Sequence, residues 1–227
     1  MNDNRTESTL IVGAGGIGQA LANKLSQTTQ TSVWSRASGI DVTVENDIAQ
    51  AVAELPDTPL TRVFITTGML HDAQQQPERS LRALDRTALE RSFLINTIAP
   101  ALVAKYVLPR LPRDRRAVFA VLGARVGSIG DNRTGGWHGY RASKAALVML
   151  TKTLSIELKR THPQAICVAL HPGTVDTPMS QPFQGNVAPE KLFTADFAAE
   201  RLISVADGLI ATDSGGHFAW DGALIAD

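Results

Sequence analysis

Two residues suited to acid–base chemistry, Tyr140 and Lys144, stand four positions apart in the segment GYRASKAAL. In a helix this spacing puts both side chains on one face, with roughly 5–6 Å between their Cβ atoms. An ammonium group about 5 Å from a phenol favours the phenolate by roughly 3 kcal/mol, on the order of two pKa units. We therefore expect Lys144 to lower the pKa of Tyr140 and make it a general acid or base. A surface helix with an aromatic residue and a solvated lysine is the alternative.

A glycine-rich turn directly follows the first apolar segment, residues 10–12. Residues 13–18 have the pattern G-x-G-x-x-G, and residues 19–25 continue with apolar positions at helical spacing. Glycines let the backbone approach a pyrophosphate closely, and the start of a helix supplies free N–H groups. The context favours a dinucleotide-binding turn over an ordinary tight turn between a strand and a helix. The candidate cofactor-binding residues here are Gly13, Gly15, Gly16, Ile17 and Gly18.

The end of the second predicted strand bears on the choice of cofactor. Residues 31–34 form this strand, and Ser35 and Arg36 follow it. An acidic residue at this place would bind a ribose 2′-hydroxyl, whereas arginine favours a 2′-phosphate. Because no Asp or Glu stands at this strand end, we expect NADP(H) to be preferred over NAD(H). A solvent-facing arginine without a ligand is the alternative interpretation.

Apolar strand segments alternate with helical patterns along the whole chain. This order predicts an α/β fold, a doubly wound, Rossmann-like parallel sheet of six or seven strands with helices on both faces. Residues 1–227 are expected to form a single domain. A long helical pattern covers residues 87–107, where Asn96 and Pro100 predict a local distortion of the helix. The predicted strands are residues 10–12, 31–34, 41–43, 62–65, 117–122, 165–170 and 217–220.

The composition excludes several classes of function. Lys and Arg number 22, as do Asp and Glu, so no net positive charge attracts nucleic acid or an anionic membrane. The single cysteine, Cys167, allows neither an intramolecular disulfide nor a cysteine zinc cluster, and its apolar surroundings favour a place in the core. No metal site is predicted. The polar start and the interrupted apolar stretch over residues 93–108 predict a cytoplasmic protein that does not span a membrane.

A proline-rich segment, residues 176–193, follows the sixth predicted strand. It carries three prolines together with Met179, Phe183 and Phe193. A long loop with apolar side chains at the carboxyl edge of a parallel sheet suits a substrate lid. Simple packing of these side chains on the body of the protein is the alternative.

Taken together, these motifs resemble the short-chain dehydrogenase/reductase family over nearly the whole chain. Residues 127–132, 140–144, 171–177 and 218–222 are similar to the C-factor-like branch, which is related to small carbonyl reductases. The resemblance implies an NADPH-dependent oxidoreductase that transfers hydride between the nicotinamide and a carbonyl or alcohol substrate. It also implies a homo-oligomer, a dimer or tetramer, with the helices over 87–107 and 140–158 as candidate interface.

The resemblance assigns a role to each candidate site residue. Tyr140 would exchange a proton with the substrate oxygen, Lys144 would lower its pKa and hold the nicotinamide ribose, and Asn96 would anchor a proton-relay water. Asp41 and Val42 would meet the adenine, and Thr67 and Gly68 would support the sheet near the cofactor. The residues implied to position the nicotinamide carboxamide are Pro172, Gly173, Val175 and Thr177.

Three features depart from the family pattern. Val12 replaces a threonine in a turn one residue shorter than usual, and the segment between Arg36 and Asp41 is too short for a helix. Gly123 and Ala124 occupy the positions of the substrate-polarising serine; Ser128 is a candidate substitute, or a surface serine without that role. The loss of the serine leaves a second hypothesis open, a dinucleotide-binding regulatory or signalling protein with weak or no catalysis.

Overall fold

Six parallel strands form the central sheet of the structure, a computed structural model that describes residues 6–226 of the chain. Their order is β2-β1-β3-β4-β5-β8, and every neighbouring pair is parallel. A separate two-stranded sheet pairs β6 with β7. The predicted doubly wound α/β fold is therefore confirmed. The strands are β1 (Ser8–Val12), β2 (Gln30–Trp34), β3 (Leu60–Ile65), β4 (Ala117–Leu122), β5 (Ala165–His171), β6 (Thr174–Val175), β7 (Leu192–Phe193) and β8 (His217–Ala219).

Helices cover both faces of the sheet, and each face has its own apolar core. The helices are α1 (Gly16–Leu25), α2 (Glu45–Ala53), α3 (Arg86–Phe93), α4 (Ala99–Val107), α5 (His138–Leu158) and α6 (Ala195–Gly208). One core packs the sheet against α2, α4 and α5, and the other packs it against α1 and α6. Cys167 is fully buried in the first core, where burial raises the pKa of its thiol to about 12. The expected core position of this cysteine is confirmed.

The prediction of a third strand at residues 41–43 is wrong. These residues form a turn between β2 and α2, so the segment beginning at Leu60 is the third strand of the chain and not the fourth. The Asp41 carboxylate accepts hydrogen bonds from the backbone N–H and the hydroxyl of Thr43, at 2.9 and 2.7 Å. An aspartate that bonds to its own chain two residues on stabilises a turn in competition with a sheet.

The strand order reverses beside β1, which lies between β2 and β3. In open parallel sheets, ligands bind in the crevice outside the carboxyl ends of the strands at such a reversal. The glycine-rich turn follows β1 there, and residues 66–68 follow β3. The fold thus brings these two predicted cofactor-binding segments to the same edge of the sheet.

The helix predicted over residues 87–107 is distorted at its centre, as the sequence indicates. A π-helical turn, Leu94–Ile98, separates α3 from α4 and carries Asn96. The continuous helical segment Arg86–Arg110 is long and apolar enough to cross a membrane by those two measures alone. Half of its most apolar stretch is buried inside the molecule, and a buried core helix meets the same criterion, so this feature is weak evidence for a membrane span.

Candidate active site

The glycine-rich turn is built for close backbone contact. Gly13 has a φ of 108°, and a Cβ atom at this position would lie 2.6 Å from Thr66 Oγ1. At Gly18 a Cβ atom would lie 2.0 Å from the carbonyl oxygen of Gly13, so helix α1 packs directly on the turn. Only glycine tolerates this combination of conformation and contact.

The start of α1 is open to an anionic ligand. Gly15 is the N-cap residue, no side chain caps the helix, and nothing lies within 4 Å of a Cβ atom built at Gly15. The first N–H groups of α1 are therefore available beside a surface that a phosphate can approach. Thr66 and Thr67 donate their hydroxyl hydrogens to the carbonyl oxygen of Val12, which leaves Gly68 beyond them at the crevice. The residues present fit a pyrophosphate-containing cofactor.

The residues expected near the adenosine lie together after β2. Ser35 and Ser38 cap a short 3₁₀ turn by reciprocal side-chain bonds, and Arg36 is exposed within that turn. The Asp41 carboxylate is held by Thr43, whose hydrogen bonds lower its pKa, with a smaller contribution from the charge of Arg36. The Val42 side chain is buried in the core, which leaves only its backbone for the predicted contact with the adenine.

Tyr140 and Lys144 lie in the first turns of α5, as the spacing predicts. The Lys144 Nζ atom is 5.9 Å from the centroid of the Tyr140 ring and donates a hydrogen bond of 2.7 Å to the carbonyl oxygen of Leu122, the last residue of β4. Lys144 is buried, whereas Tyr140 keeps part of its surface on a cavity. The two side chains share one face of the helix and a common site.

The expected lowering of the Tyr140 pKa is wrong. Burial raises the pKa of Tyr140 to about 12 and lowers the pKa of Lys144 to about 8. Removal of water disfavours the phenolate and the ammonium alike, and this cost exceeds their mutual attraction. At neutral pH the phenol therefore carries its proton, and the lysine is predominantly an ammonium ion beside it.

Asn96 joins the loop after β3 to helix α5. Its Oδ1 accepts a 2.7 Å hydrogen bond from the N–H of Met69, and its Nδ2 donates to Met69 O at 2.9 Å and to Ser143 Oγ at 3.1 Å. The side chain is fully buried. Both the oxygen and the nitrogen of the amide are thus bonded to protein groups, and the predicted relay water stays a prediction. A Cβ atom at Gly68 would lie 3.4 Å from both Asn96 Oδ1 and Lys144 Nζ, which puts this glycine between the two side chains.

Two residues that shape the start of α5, Trp137 and Glu78, are not predicted from the sequence. Trp137, the N-cap residue, has a φ of 50° and offers no side-chain cap. Glu78 takes over this role from a distant loop: its backbone oxygen accepts from Trp137 N at 2.5 Å, and its Oε2 accepts from Gly139 N at 3.2 Å. A carboxylate at a helix N-terminus also stabilises the helix dipole. No local pattern predicts this contact, because the partners are 61 positions apart.

A cavity of about 340 Å³ opens beside Tyr140. Six of the predicted site residues line it: Ile17, Tyr140, Pro172, Gly173, Val175 and Thr177. Much of the remaining wall is apolar and includes Leu70, Val126, Trp137, Met179, Phe183 and Val187. Thr177 also touches the start of α1, since a Cβ atom at Gly16 would lie 3.1 Å from its Cγ2. The start of α1, through Ile17, and the Tyr140 side chain therefore border one cavity.

The proline-rich segment closes one side of this cavity. It folds into two 3₁₀ turns, Gln181–Asn186 and Pro189–Lys191, and ends in β7. The Phe183 ring packs between His71 and Trp137, with ring centroids 5.4 and 5.0 Å away. This arrangement favours the predicted substrate lid, although the same side chains also pack on the body of the protein.

Neither residue at the predicted position of the polarising serine carries a hydroxyl group. Gly123 and Ala124 both line the cavity. Ser128 is buried and does not line it; its Oγ accepts a 3.0 Å hydrogen bond from Asp131 N. Ser128 therefore stabilises a turn. It is neither a surface serine nor a hydroxyl donor to the cavity in place of the missing serine. Across residues 6–226, no group of three or more His, Cys, Asp or Glu side chains could hold a metal ion.

Comparison with known proteins agrees with this arrangement. A sequence model described as short chain dehydrogenase matches residues 26–187, which is more than half of the chain. The chain belongs to the short-chain dehydrogenase/reductase family. It is therefore an NAD(P)-dependent oxidoreductase by family, as the motifs predict.

Relatives and solved structures of this family extend over most of the chain. A 1-hydroxy-2-glutathionyl-2-methyl-3-butene dehydrogenase of Rhodococcus sp. (strain AD45) is 30% identical over 82% of this chain and 78% of its own. The C-signal protein of Myxococcus xanthus is 33% identical over 64% of this chain and 82% of its own. The carbonyl reductase Sniffer of D. melanogaster has the same fold, with a TM-score of 0.81 at 24% identity over 99% of this chain and 100% of its own.

Proposed function

We propose that this protein is an NADPH-dependent oxidoreductase that interconverts a carbonyl compound and its alcohol. One observation carries this proposal: Tyr140, one helical turn from Lys144, faces an apolar cavity whose wall also contains Ile17 at the start of α1. A proton donor and a dinucleotide-binding turn thus border the same cavity. This juxtaposition is what a hydride-transferring enzyme requires.

The chain supplies the proton and the orientation. When bound, the reduced nicotinamide supplies the hydride that reduces the carbonyl carbon. The Tyr140 phenol, protonated at neutral pH, donates its proton to the substrate oxygen as negative charge develops there. The Lys144 ammonium then stabilises the phenolate that remains. Asn96 links the loop after β3 to helix α5 through hydrogen bonds to Met69 and Ser143.

The shape and lining of the cavity favour a small or medium-sized apolar substrate. Its apolar wall would exclude water and strengthen the hydrogen bond from Tyr140 to a carbonyl oxygen. The residues proposed to hold the nicotinamide end are Pro172, Gly173, Val175 and Thr177, and the N–H groups at the start of α1 would hold the pyrophosphate.

The exposed Arg36 supports a preference for NADP(H) over NAD(H). Arg36 stands two residues after the carboxyl end of β2, where a 2′-phosphate would be bound, and neighbouring Ser35 carries no charge. A solved carbonyl reductase from chicken fatty liver, with the same fold, is described as NADPH-bound. Arg36→Asp should weaken the binding of NADPH much more than that of NADH, as measured by fluorescence titration.

A matched control for this test is Arg82→Asp, because Arg82 is likewise an exposed arginine in a short 3₁₀ turn. The control should leave the affinities for both cofactors unchanged. Equal losses for NADPH and NADH in Arg36→Asp would remove Arg36 from the cofactor site.

Turnover tests the function itself. NADPH absorbance is followed with a panel of aldehydes, ketones and quinones, for the unmodified protein and for Tyr140→Phe. We expect consumption of NADPH with at least one substrate, and loss of it in the variant, which keeps the ring but lacks the proton. Cofactor binding without turnover across the panel would contradict the proposal.

One observation favours a second function, that of a dinucleotide-binding regulatory or signalling protein. Neither Gly123 nor Ala124 offers a hydroxyl to the cavity, and the loss of one donor to a developing oxyanion costs about 10²-fold or more in rate. The similarity to a protein named C-signal is compatible with this alternative. The same turnover experiment separates the two functions.

A further inference from the structure

Several polar groups besides Tyr140 line the cavity, but most of them already form hydrogen bonds or ion pairs within the protein. Ser180 donates its hydroxyl hydrogen to Val175 O at 2.5 Å, and Thr177 donates to the same oxygen at 3.4 Å. Arg125 pairs with Asp131 at 3.0 Å. A carbonyl oxygen that acquires negative charge is stabilised best by donors already positioned for it. The question is therefore which other group can supply a second hydrogen bond.

Position 123, directly after β4, cannot supply it. A Cβ atom at Gly123 would lie 2.8 Å from His217 Nε2 and 3.3 Å from Ala169 Cβ. His217 is itself almost completely buried and does not line the cavity. Any side chain at position 123 would therefore collide with this imidazole, and the second donor has to come from another element.

His171, the last residue of β5, is placed to provide it. Leu170 pairs with Leu122, so the next residues, His171 and Gly123, lie side by side beyond the two strands. Residues 167 and 169 of β5 face the core that includes α5, and the alternation of side chains puts His171 on that same face. His171 lines the cavity together with Tyr140. The imidazole and the phenol therefore border one space from two different elements.

The protonation of His171 suits a neutral donor. Burial lowers the pKa of the imidazole to about 4, with smaller contributions in the same direction from His217, Arg125 and Lys144 and an opposing one from Asp221. The neutral ring carries one N–H at physiological pH. Its Nδ1 is buried without a hydrogen-bond partner in the described part of the chain, so a proton on Nδ1 would have no acceptor there. The ring proton is best placed on Nε2, where a ligand acceptor can receive it.

We propose that His171 is a further catalytic residue, whose Nε2–H donates a hydrogen bond to the substrate oxygen alongside the Tyr140 phenol. This inference rests on the proposed carbonyl reduction. In that step the carbonyl carbon gains a hydride from the reduced nicotinamide, and the π electron pair moves to the oxygen. The oxygen takes the proton of Tyr140, and a new C–H and a new O–H bond result. His171 keeps its own proton and stabilises the oxygen throughout.

Two substitutions of His171 test this role. His171→Phe keeps the ring volume but removes the donor, and His171→Gln restores an N–H donor on a shorter side chain. We expect His171→Phe to lower kcat about 10²-fold with an NADPH affinity, by fluorescence titration, within about twofold of the unmodified protein. His171→Gln should recover part of kcat. Thermal unfolding followed by circular dichroism establishes that each variant is folded.

The matched control is His162→Gln. His162 is also buried, and its Nε2 also lacks a partner, but it lies between α5 and β5 and outside the cavity. This control should leave kcat unchanged. An unchanged kcat in both His171 variants would overturn the inference. So would a loss of kcat in His171→Phe that comes with lost NADPH binding and is not recovered by glutamine, because that pattern indicates a structural role.

The outcomes separate this inference from the proposed function. Turnover that depends on Tyr140 but is indifferent to His171 contradicts the inference alone. Absence of turnover by the unmodified protein across the carbonyl panel contradicts both. Turnover that requires Tyr140 and falls in His171→Phe while His162→Gln remains active supports both.

Discussion

At the scale of single residues, the balance between desolvation and charge decides the chemistry. The sequence supports the attraction between Tyr140 and Lys144, but it cannot report how much water the fold removes from each group. In the structure, burial outweighs the attraction and keeps the phenol protonated, with a pKa of about 12. A protonated phenol can act as the general acid that the proposed carbonyl reduction requires.

The buried Lys144 gives the stability of the protein a characteristic pH dependence. The pKa of Lys144 is about 8 in the folded protein, against an ordinary value of 10.5 that applies to the unfolded chain. Between pH 8 and 10.5 the unfolded chain therefore binds more protons than the folded one. Folded-state stability should therefore rise with pH across this window, by up to about 3 kcal/mol from this residue. Denaturant unfolding at pH 7.5, 8.5 and 9.5 measures the trend.

The variant Lys144→Met isolates this contribution. Its free energy of unfolding should lack the Lys144 part of the rise, so that the unmodified protein gains stability relative to the variant as pH increases from 8 to 10.5. The titration of Tyr140 acts in the opposite direction, and only above its ordinary pKa of 10. Parallel pH profiles for the two proteins would show that the pKa of Lys144 is not lowered.

Residue types and their spacing are what the sequence predicts at this scale. Periodicity and Pro100 are enough to predict that Tyr140 and Lys144 share one helical face and that Asn96 lies in a distorted helix. The role of Glu78 is not predictable in this way, because it bonds to the backbone of a helix 61 positions away. It also left Ser128 open, since only the fold shows that this hydroxyl is bound by Asp131.

At the scale of elements, α5 is held in place by contacts that require glycine. A Cβ atom at Gly127 would lie 2.8 Å from Lys144 Cβ and 2.9 Å from the Lys144 carbonyl carbon. The 3₁₀ turn that ends at Gly127 therefore packs directly on the backbone of the helix that carries both proposed catalytic residues. Any larger residue must push the turn and the helix apart.

We expect Gly127→Ala to destabilise the protein by about 1–3 kcal/mol and to lower kcat, because Lys144 is displaced. The control is Gly208→Ala, since nothing lies within 4 Å of a Cβ atom at that position. Chemical denaturation and steady-state kinetics measure the two effects. A Gly127→Ala variant as stable and active as the control would show that the helix is not held by this contact.

The elements themselves were predictable where periodicity is strong. The strands of the central sheet and the helices that cover it lie within a few residues of their predicted positions, whereas β6 and β7 fall in segments predicted to be loops. Residues 41–43 failed because a short apolar segment with an aspartate at its start fits a turn as well as a strand. The choice between them depends on the hydrogen bonds of Asp41 to Thr43, which compete with those of a sheet.

At the scale of the whole molecule, we propose that the protein is a homo-oligomer, a dimer or tetramer. Helix α5 exposes Met149 and Ile156, seven positions apart on one face, and the segment between α3 and α4 exposes Leu94 and Ile98. Exposed apolar side chains on neighbouring helices favour an interface. Sedimentation velocity should therefore show a species larger than the 24.3 kDa chain.

Substitution of the exposed face tests this interface. Met149→Asp should shift the sedimentation coefficient towards that of a single chain, because a charge at a buried contact is costly. The control Leu81→Asp changes an exposed leucine of a 3₁₀ turn outside these helices and should leave the assembly unchanged. A single chain for the unmodified protein at assay concentrations would contradict the proposed oligomer.

The central claim is that Tyr140 donates a proton to a substrate oxygen while hydride reaches the adjacent carbon. The most direct measurement uses NADPH carrying deuterium at the transferred position of nicotinamide C4, with a carbonyl substrate identified in the panel, and mass spectrometry of the product. The account predicts an alcohol with one deuterium on the former carbonyl carbon, formed by the unmodified protein and lost in Tyr140→Phe. NADPH oxidation without deuterium in an alcohol, or equal deuterium transfer by Tyr140→Phe, would contradict it.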